Sequence, residues 1–231
     1  MQFGGSDQWG NITAGLELLR RTGHDGAVGM TVPLLLRSDG TKFGNTESGA
    51  VWLERAMTSP YAFYQFFFNT QDDQVPVLLR RLSLLERDVI EELEERHAVA
   101  PHERAAQRAL AEHLTTLVHG EEGLTEALAV TEWMFGDPSA YSGNLDEALR
   151  GIDVPSLTAV DLTTWGALAR TAGLAGSNAE ARRLIEGGGF YAGDRKIGPD
   201  DAGPTVDDFK DGFLLLRKGR KTRQPVRLVE S

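Results

Sequence analysis

The chain has 231 residues, 41 % hydrophobic and 25 % charged, with 34 Asp and Glu against 24 Lys and Arg and a net charge of −10. That size holds one large domain or two to three small ones with apolar content for real cores, which argues against a collagen-like, disulfide-scaffolded or wholly disordered chain. With no cysteine, disulfides, zinc–thiolate sites and thiol catalysis are excluded. No run of 18 apolar residues predicts a membrane span, and Met1 to Gly5 lacks the layout of a secretory signal, so the expected localisation is cytoplasmic with no membrane partner.

In chain order, a short strand at Met1 to Phe3 meets Gly4-Gly5, and Ser6 and Asp7 open a helix. Trp9, Ile12, Leu16 and Leu19 give that helix one apolar face, and Gly23 follows its stop. Val28 to Leu36 reads as a buried strand, and residues 38–46 read as a loop rich in Gly, Ser and Asp. From about 58 to 135 the pattern is helical, with Pro60 at a first helical position. Leu84, Leu85, Val89, Ile90 and Leu93 form a stripe, with Glu91, Glu92, Glu94 and Glu95 on a solvated face. Two further helices are expected at about Ala100 to Val118 and Gly123 to Phe135. Residues 137–157 read as a linker with one short helix. The remainder reads as helices at Leu162 to Thr171 and Ala179 to Glu186, a hairpin around Gly193-Asp194, and strands near Phe213 to Leu216 and Val226 to Val229.

Charge is distributed unevenly along this order. Residues 155–231 carry 12 basic and 10 acidic side chains, whereas residues 1–154 carry 12 basic and 24 acidic ones. Arg217, Lys218, Arg220, Lys221, Arg223 and Arg227 follow one another with no acid between them. Such a cluster predicts either a polyanion-binding module or a solvated basic tail.

Two segments carry possible chemistry. In Gly4-Gly5-Ser6-Asp7-Gln8-Trp9-Gly10-Asn11, glycines after a strand admit a ligand close to the backbone, ahead of free helix N–H groups. Asp7 there can accept from ribose hydroxyls, and Gln8 offers both a donor and an acceptor. Alternatively, Ser6 or Asp7 is simply a helix cap. Lys42, between Gly40 and Gly44, can swing onto a polyphosphate, or it is an ordinary surface turn. Of the five histidines, His24, His97, His102, His113 and His119, none stands at zinc-ligand spacing, and no metal site is expected.

Taken together, these segments resemble the bacterial tyrosyl-tRNA synthetase family. Gly4 to Asn11 matches its GGSDQWGN element, Thr31 to Leu35 its TVPLL strand, and Lys42 to Thr46 its KFGKS/T loop, a version of the class I KMSKS motif. Thr58 to Thr70 is similar to its TSPYxFYQFxxNT segment and His119 to Glu122 to its HGEE turn. Ser177 to Lys196 is similar to an S4-type RNA-binding domain.

The resemblance implies an α/β remnant of a Rossmann-type class I synthetase catalytic domain (1–57, with the KMSKS-like loop). An all-α anticodon-side domain (58–136), the linker (137–157) and a small α+β S4-like RNA-binding domain (158–231) follow. It implies ATP-dependent activation of tyrosine and its transfer to tRNA(Tyr). ATP is the substrate, Mg2+ is expected with it, and there is no prosthetic group. By the same resemblance, Gly5, Asp7 and Gln8 bind the adenylate, while Lys42, Asn45 and Thr46 attend the pyrophosphate. Arg182, Arg183, Arg217, Lys218, Arg220, Lys221 and Arg223 meet tRNA. Asn45 stands where the family has a second loop lysine. The family's preceding Rossmann half, which holds the HIGH motif, tyrosine-recognition residues and much of the homodimer interface, lies outside the matched region. The chain is therefore expected to be inactive alone. Alternatives are a standalone tRNA-binding paralogue without amino-acid activation, or a subunit completed by a separate N-terminal half.

Overall fold

The computed structural model describes residues 1–36, 45–46, 49–136, 140–219 and 222–229. They fall into two compact units, one of Met1–Ala50 with Asp72–Gln74, the other of Val51–Gln71 with Val75–Ser231.

In the first unit, strand β1 (Gln2–Gly5) leads through a 3-10 turn at Ser6–Gln8 into helix α1 (Trp9–Arg21). Strand β2 (Gly29–Val32) lies parallel to β1, with Phe3 opposite Met30 and Gly5 opposite Val32. Strands β3 (Asn45–Thr46) and β4 (Gly49–Ala50) form a separate antiparallel pair. Of the apolar face expected on α1, Ile12 is buried, whereas Trp9 and Leu19 are exposed. The buried strand expected at 28–36 is also corrected. It spans four residues, and Val28, Met30 and Val32 are 57 %, 46 % and 41 % exposed. Strand residues are shielded only where an element covers their face, and among the described residues of this unit α1 is the one helix packed on the pair.

The second unit opens with helices α2 (Pro60–Phe68), α3 (Val75–Leu82), α4 (Arg87–Val99) and α5 (Ala105–Phe135). Ser59 caps α2, its hydroxyl accepting from Ala62 N at 3.1 Å, and Pro60 occupies the first turn, where no N–H is needed. Because α2 is apolar nearly all round, it is buried against α5. Helix α5 begins five residues later than expected, since Pro101–Glu103 forms a 3-10 turn and Arg104 is left-handed. Its span is broken at Gly120 (φ 73°, ψ 178°), a backbone angle open to glycine and strained for other residues. The break falls between the two helices expected there.

The segment expected as a linker is packed. Helix α6 (Leu145–Ala148), capped by Asn144, buries Leu145, Ala148 and Leu149 with Tyr61, Trp133, Met134, Phe213 and Leu215. Beyond it, β5 (Ser156–Leu157), β6 (Phe190–Ala192), β7 (Arg195–Lys196), β8 (Phe213–Lys218) and β9 (Thr222–Leu228) form a five-stranded sheet in the order β5-β9-β8-β6-β7. Helices α7 (Trp165–Thr171) and α8 (Asn178–Glu186) share a core with Leu214, Leu216, Phe190 and Val226 from this sheet.

Candidate functional site

The glycine segment is built by the parallel pair. Gly5 adopts ordinary extended angles (φ −70°, ψ 161°), so its glycine character does not follow from backbone freedom. A Cβ there would stand 2.7 Å from an Asp7 carboxylate oxygen and 2.8 Å from Leu34 Cδ2. A side chain there would require Asp7 or Leu34 to shift. Asn11 Nδ2 donates to Gln8 Oε1 at 3.0 Å, which orients the Gln8 amide. Gly4, Gln8, Asn11 and Ile12 line a cleft of about 390 Å³.

Neither Ser6 nor Asp7 is a helix cap. The cap position of the 3-10 turn falls to Gly5 and that of α1 to Gln8, both without a side-chain cap bond. Lys42 lies outside the described residues. Asn45 and Thr46 are described only as the backbone of β3, paired with Ala50 and Gly49.

The basic residues of the C-terminal unit separate into two groups. On α8, Arg182 is exposed and its Nε donates to Glu186 Oε1 at 2.7 Å. Arg183 Nε donates to the Ala179 carbonyl at 3.3 Å. Lys218 pairs with Glu180 at 2.8 Å; that bond first, then the Gly176 N–H, holds the Glu180 carboxyl below its usual range.

The second group goes against the alternative of a solvated basic tail, because Phe213–Lys218 and Thr222–Leu228 are strands of the sheet. The Arg217 guanidinium lies 4.2 Å from the Tyr191 ring centroid. Arg223 Nη1 donates to the Met134 carbonyl at 2.6 Å. Arg227 pairs with Asp146 at 2.6 Å. Arg220 and Lys221 lie outside the described residues. Tyr191 and Asp146 escaped the sequence reading; for Tyr191 the cross-strand register, where it faces Arg217, is the signal that locates it.

The family model described as tRNA synthetases class I (W and Y) matches residues 1–136. The chain belongs to this synthetase family. Among curated proteins, it is 46 % identical over 231 residues to a tyrosine–tRNA ligase of Thermobifida fusca (strain YX), covering 96 % of this chain and 54 % of that one. It is also 46 % identical over 237 residues to a tyrosine–tRNA ligase of Roseiflexus castenholzii, covering 99 % and 56 %. The chain thus spans about half the length of the curated relatives it matches. A C-terminally truncated mitochondrial tyrosyl-tRNA synthetase of Aspergillus nidulans overlaps 58 % of this chain and 40 % of its own at 30 % identity, with a TM-score of 0.47. Among the described residues of this synthetase-family chain, no helix is long and apolar enough to cross a membrane, and no cluster of three His, Asp or Glu could hold a metal ion.

Proposed function

We propose that this chain is the tRNA-binding and loop-bearing portion of a cytoplasmic tyrosine–tRNA ligase, which activates tyrosine with ATP and transfers it to tRNA(Tyr). The observation that carries this reading is 46 % identity over nearly the whole chain to proteins bearing that name. Residues 1–57 then belong to the Rossmann catalytic domain, 58–136 to a helical anticodon-side domain and 158–231 to an S4-like RNA-binding domain, with 137–157 joining the last two.

In this reading Gly5 lets the chain pass beneath the adenylate, Asp7 accepts from its ribose, and Gln8, oriented by Asn11, meets the tyrosyl part. Lys42, Asn45 and Thr46 attend the leaving pyrophosphate, where positioning and electrostatic stabilisation supply the rate. Asn45 contributes hydrogen bonds without a charge. Mg2+ travels with the ATP phosphates. Arg182, Arg183 and Lys218 on the α8 side, with Arg220 and Lys221, meet tRNA phosphates. The ligase acts as a homodimer.

The whole reaction needs groups beyond those supplied by 1–57, so the 231 residues alone bind tRNA but do not activate tyrosine. Tyrosine-dependent ATP–pyrophosphate exchange and tRNA(Tyr) binding, measured on the same preparation, test this. Salt-sensitive tRNA binding without exchange is the expected pair, and exchange regained on adding a separate N-terminal half identifies a completed subunit. Exchange by the chain alone would refute the division of labour, and absence of tRNA binding would remove the RNA reading. Binding with no exchange even after complementation favours the paralogue without activation, for which Asn45 is the motivating residue.

A further inference from the structure

Both faces of the five-stranded sheet are packed, and each face carries its own cations. Along β8, Leu214, Leu216 and Lys218 face α7 and α8, while Phe213 and Leu215 join the core of α5 and α6. Alternation places Arg217 on the second face, and register sets Arg217 opposite Arg223 and Phe213 opposite Arg227. These arginines are half-buried on the side turned to the helices.

We infer that Arg223 and Arg227 form a latch that holds the C-terminal module in one orientation on the α5–α6 shelf, instead of contacting RNA phosphate. Arg223 reaches the carbonyl of Met134 in the last turn of α5, and its guanidinium lies 5.9 Å from the Phe135 ring centroid. Unpaired carbonyls make a helix C-terminus partly negative, so a cation there is favoured. Burial, followed by the charge of Arg217, holds Arg223 below the usual arginine range, against the opposing charges of Asp194 and Glu132. Arg227 reaches Asp146 in α6 and, at 3.3 Å, the Ser156 hydroxyl.

The connector between the modules is fastened from both sides. Gln224 Nε2 donates to Asp153 O at 2.8 Å, and Arg227 N to Pro155 O at 2.9 Å. From the helical side, the Ser59 hydroxyl donates to Ala148 O at 2.6 Å and Ser59 N to Arg150 O at 3.0 Å. Leu145, Leu149, Trp133 and Met134 fill the space between. The consequence for RNA rests on the function proposed above. With the module latched, Arg182 and Arg183 are presented at a fixed place relative to α2–α5, and a tRNA spanning both meets a pre-organised surface.

The test uses the full 231-residue chain with Arg223→Ala, Arg223→Lys and Asp146→Asn, the last leaving β9 untouched. Hydrogen exchange at residues 144–156 reads the latch, and the salt dependence of binding to a tRNA(Tyr) transcript reads phosphate contact. Arg223→Ala and Asp146→Asn should each speed exchange there about threefold or more, while the slope of log K against log salt stays at the parent value. Arg223→Lys, which keeps a cation at the helix end, should recover at least half of the protection. Unchanged exchange in both Arg223→Ala and Asp146→Asn overturns the latch, as does a slope lower by about 0.9 in Arg223→Ala. If the chain binds no tRNA, the RNA reading fails while exchange still decides the latch.

Discussion

Two of the sheets among the described residues, the β1–β2 pair and the five-stranded C-terminal sheet, end in different states. In the β1–β2 pair, Phe3, Met30 and Val32 stay 56 %, 46 % and 41 % exposed, whereas Phe190, Leu216 and Val226 of the C-terminal sheet are fully buried. A short apolar run between glycines predicts a strand in either place, but burial needs a layer on each face. The C-terminal sheet has α7 and α8 on one face and the α5–α6 shelf on the other. The pair carrying Gly5, Asp7 and Gln8 has α1 on one face. The segment with the candidate chemistry is therefore held by a few local contacts, and the candidate RNA module by a continuous core.

Substitutions in each sheet can break this contrast. Phe190→Ala should destabilise the second unit by about 3–5 kcal/mol in urea unfolding, and Phe3→Ala should change stability by less than about 0.5 kcal/mol. A loss above ~2 kcal/mol for Phe3→Ala would erase the distinction. Gly5→Ala places a methyl against Leu34 and Asp7, and should weaken the β1–β2 unit by about 1–3 kcal/mol, read as faster amide exchange at Gln2–Gly5 and Gly29–Val32. Unaltered exchange would show that Leu34 yields freely. Gly15, inside α1 with open space where a Cβ would stand, provides the opposite sign. Gly15→Ala should stabilise the helix by about 0.5–1 kcal/mol, and a lower melting temperature would contradict the open environment.

On the RNA side, Arg183→Ala should lower the salt slope of tRNA binding by about 0.9 with no change in melting temperature. A parent-like slope would take Arg183 out of the interface.

The smallest effect is on pH. Lys218 and the Gly176 N–H depress the folded-state pKa of Glu180, so their stabilisation is present above the ordinary carboxylate value and is lost as pH falls through the depressed one. Glu180→Gln should therefore lower stability slightly at neutral pH, match the parent at pH below the depressed value and so flatten that part of the acid limb. An unaltered acid limb would mean that the pair contributes nothing.

How far the site was legible follows from where its signals lie. Gly4 to Asn11 announced a strand-to-helix turn through residues adjacent in sequence, and Gly193-Asp194 announced the β6–β7 hairpin in the same way. The closeness of Gly5 to Leu34 was not visible, because Leu34 belongs to another part of the unit. The basic run was visible as composition, but which surfaces its side chains meet was not. Arg223 and its acceptor Met134 are 89 residues apart, and Arg227 and Asp146 are 81 apart, separations at which no local pattern pairs them.

By itself, then, the sequence determined the synthetase resemblance, the helical character of 58–135, the break near Gly120 and the hairpin elements of the C-terminal module. These depend on periodicity, turn chemistry and contiguous motifs, all encoded within a few residues. Only the tertiary structure decided that β1–β2 is half exposed, that 144–154 is packed and that the arginines of β9 turn toward α5 and α6. Each of those outcomes depends on which distant surface covers a given face, and that is a property of packing between elements, not of any one of them.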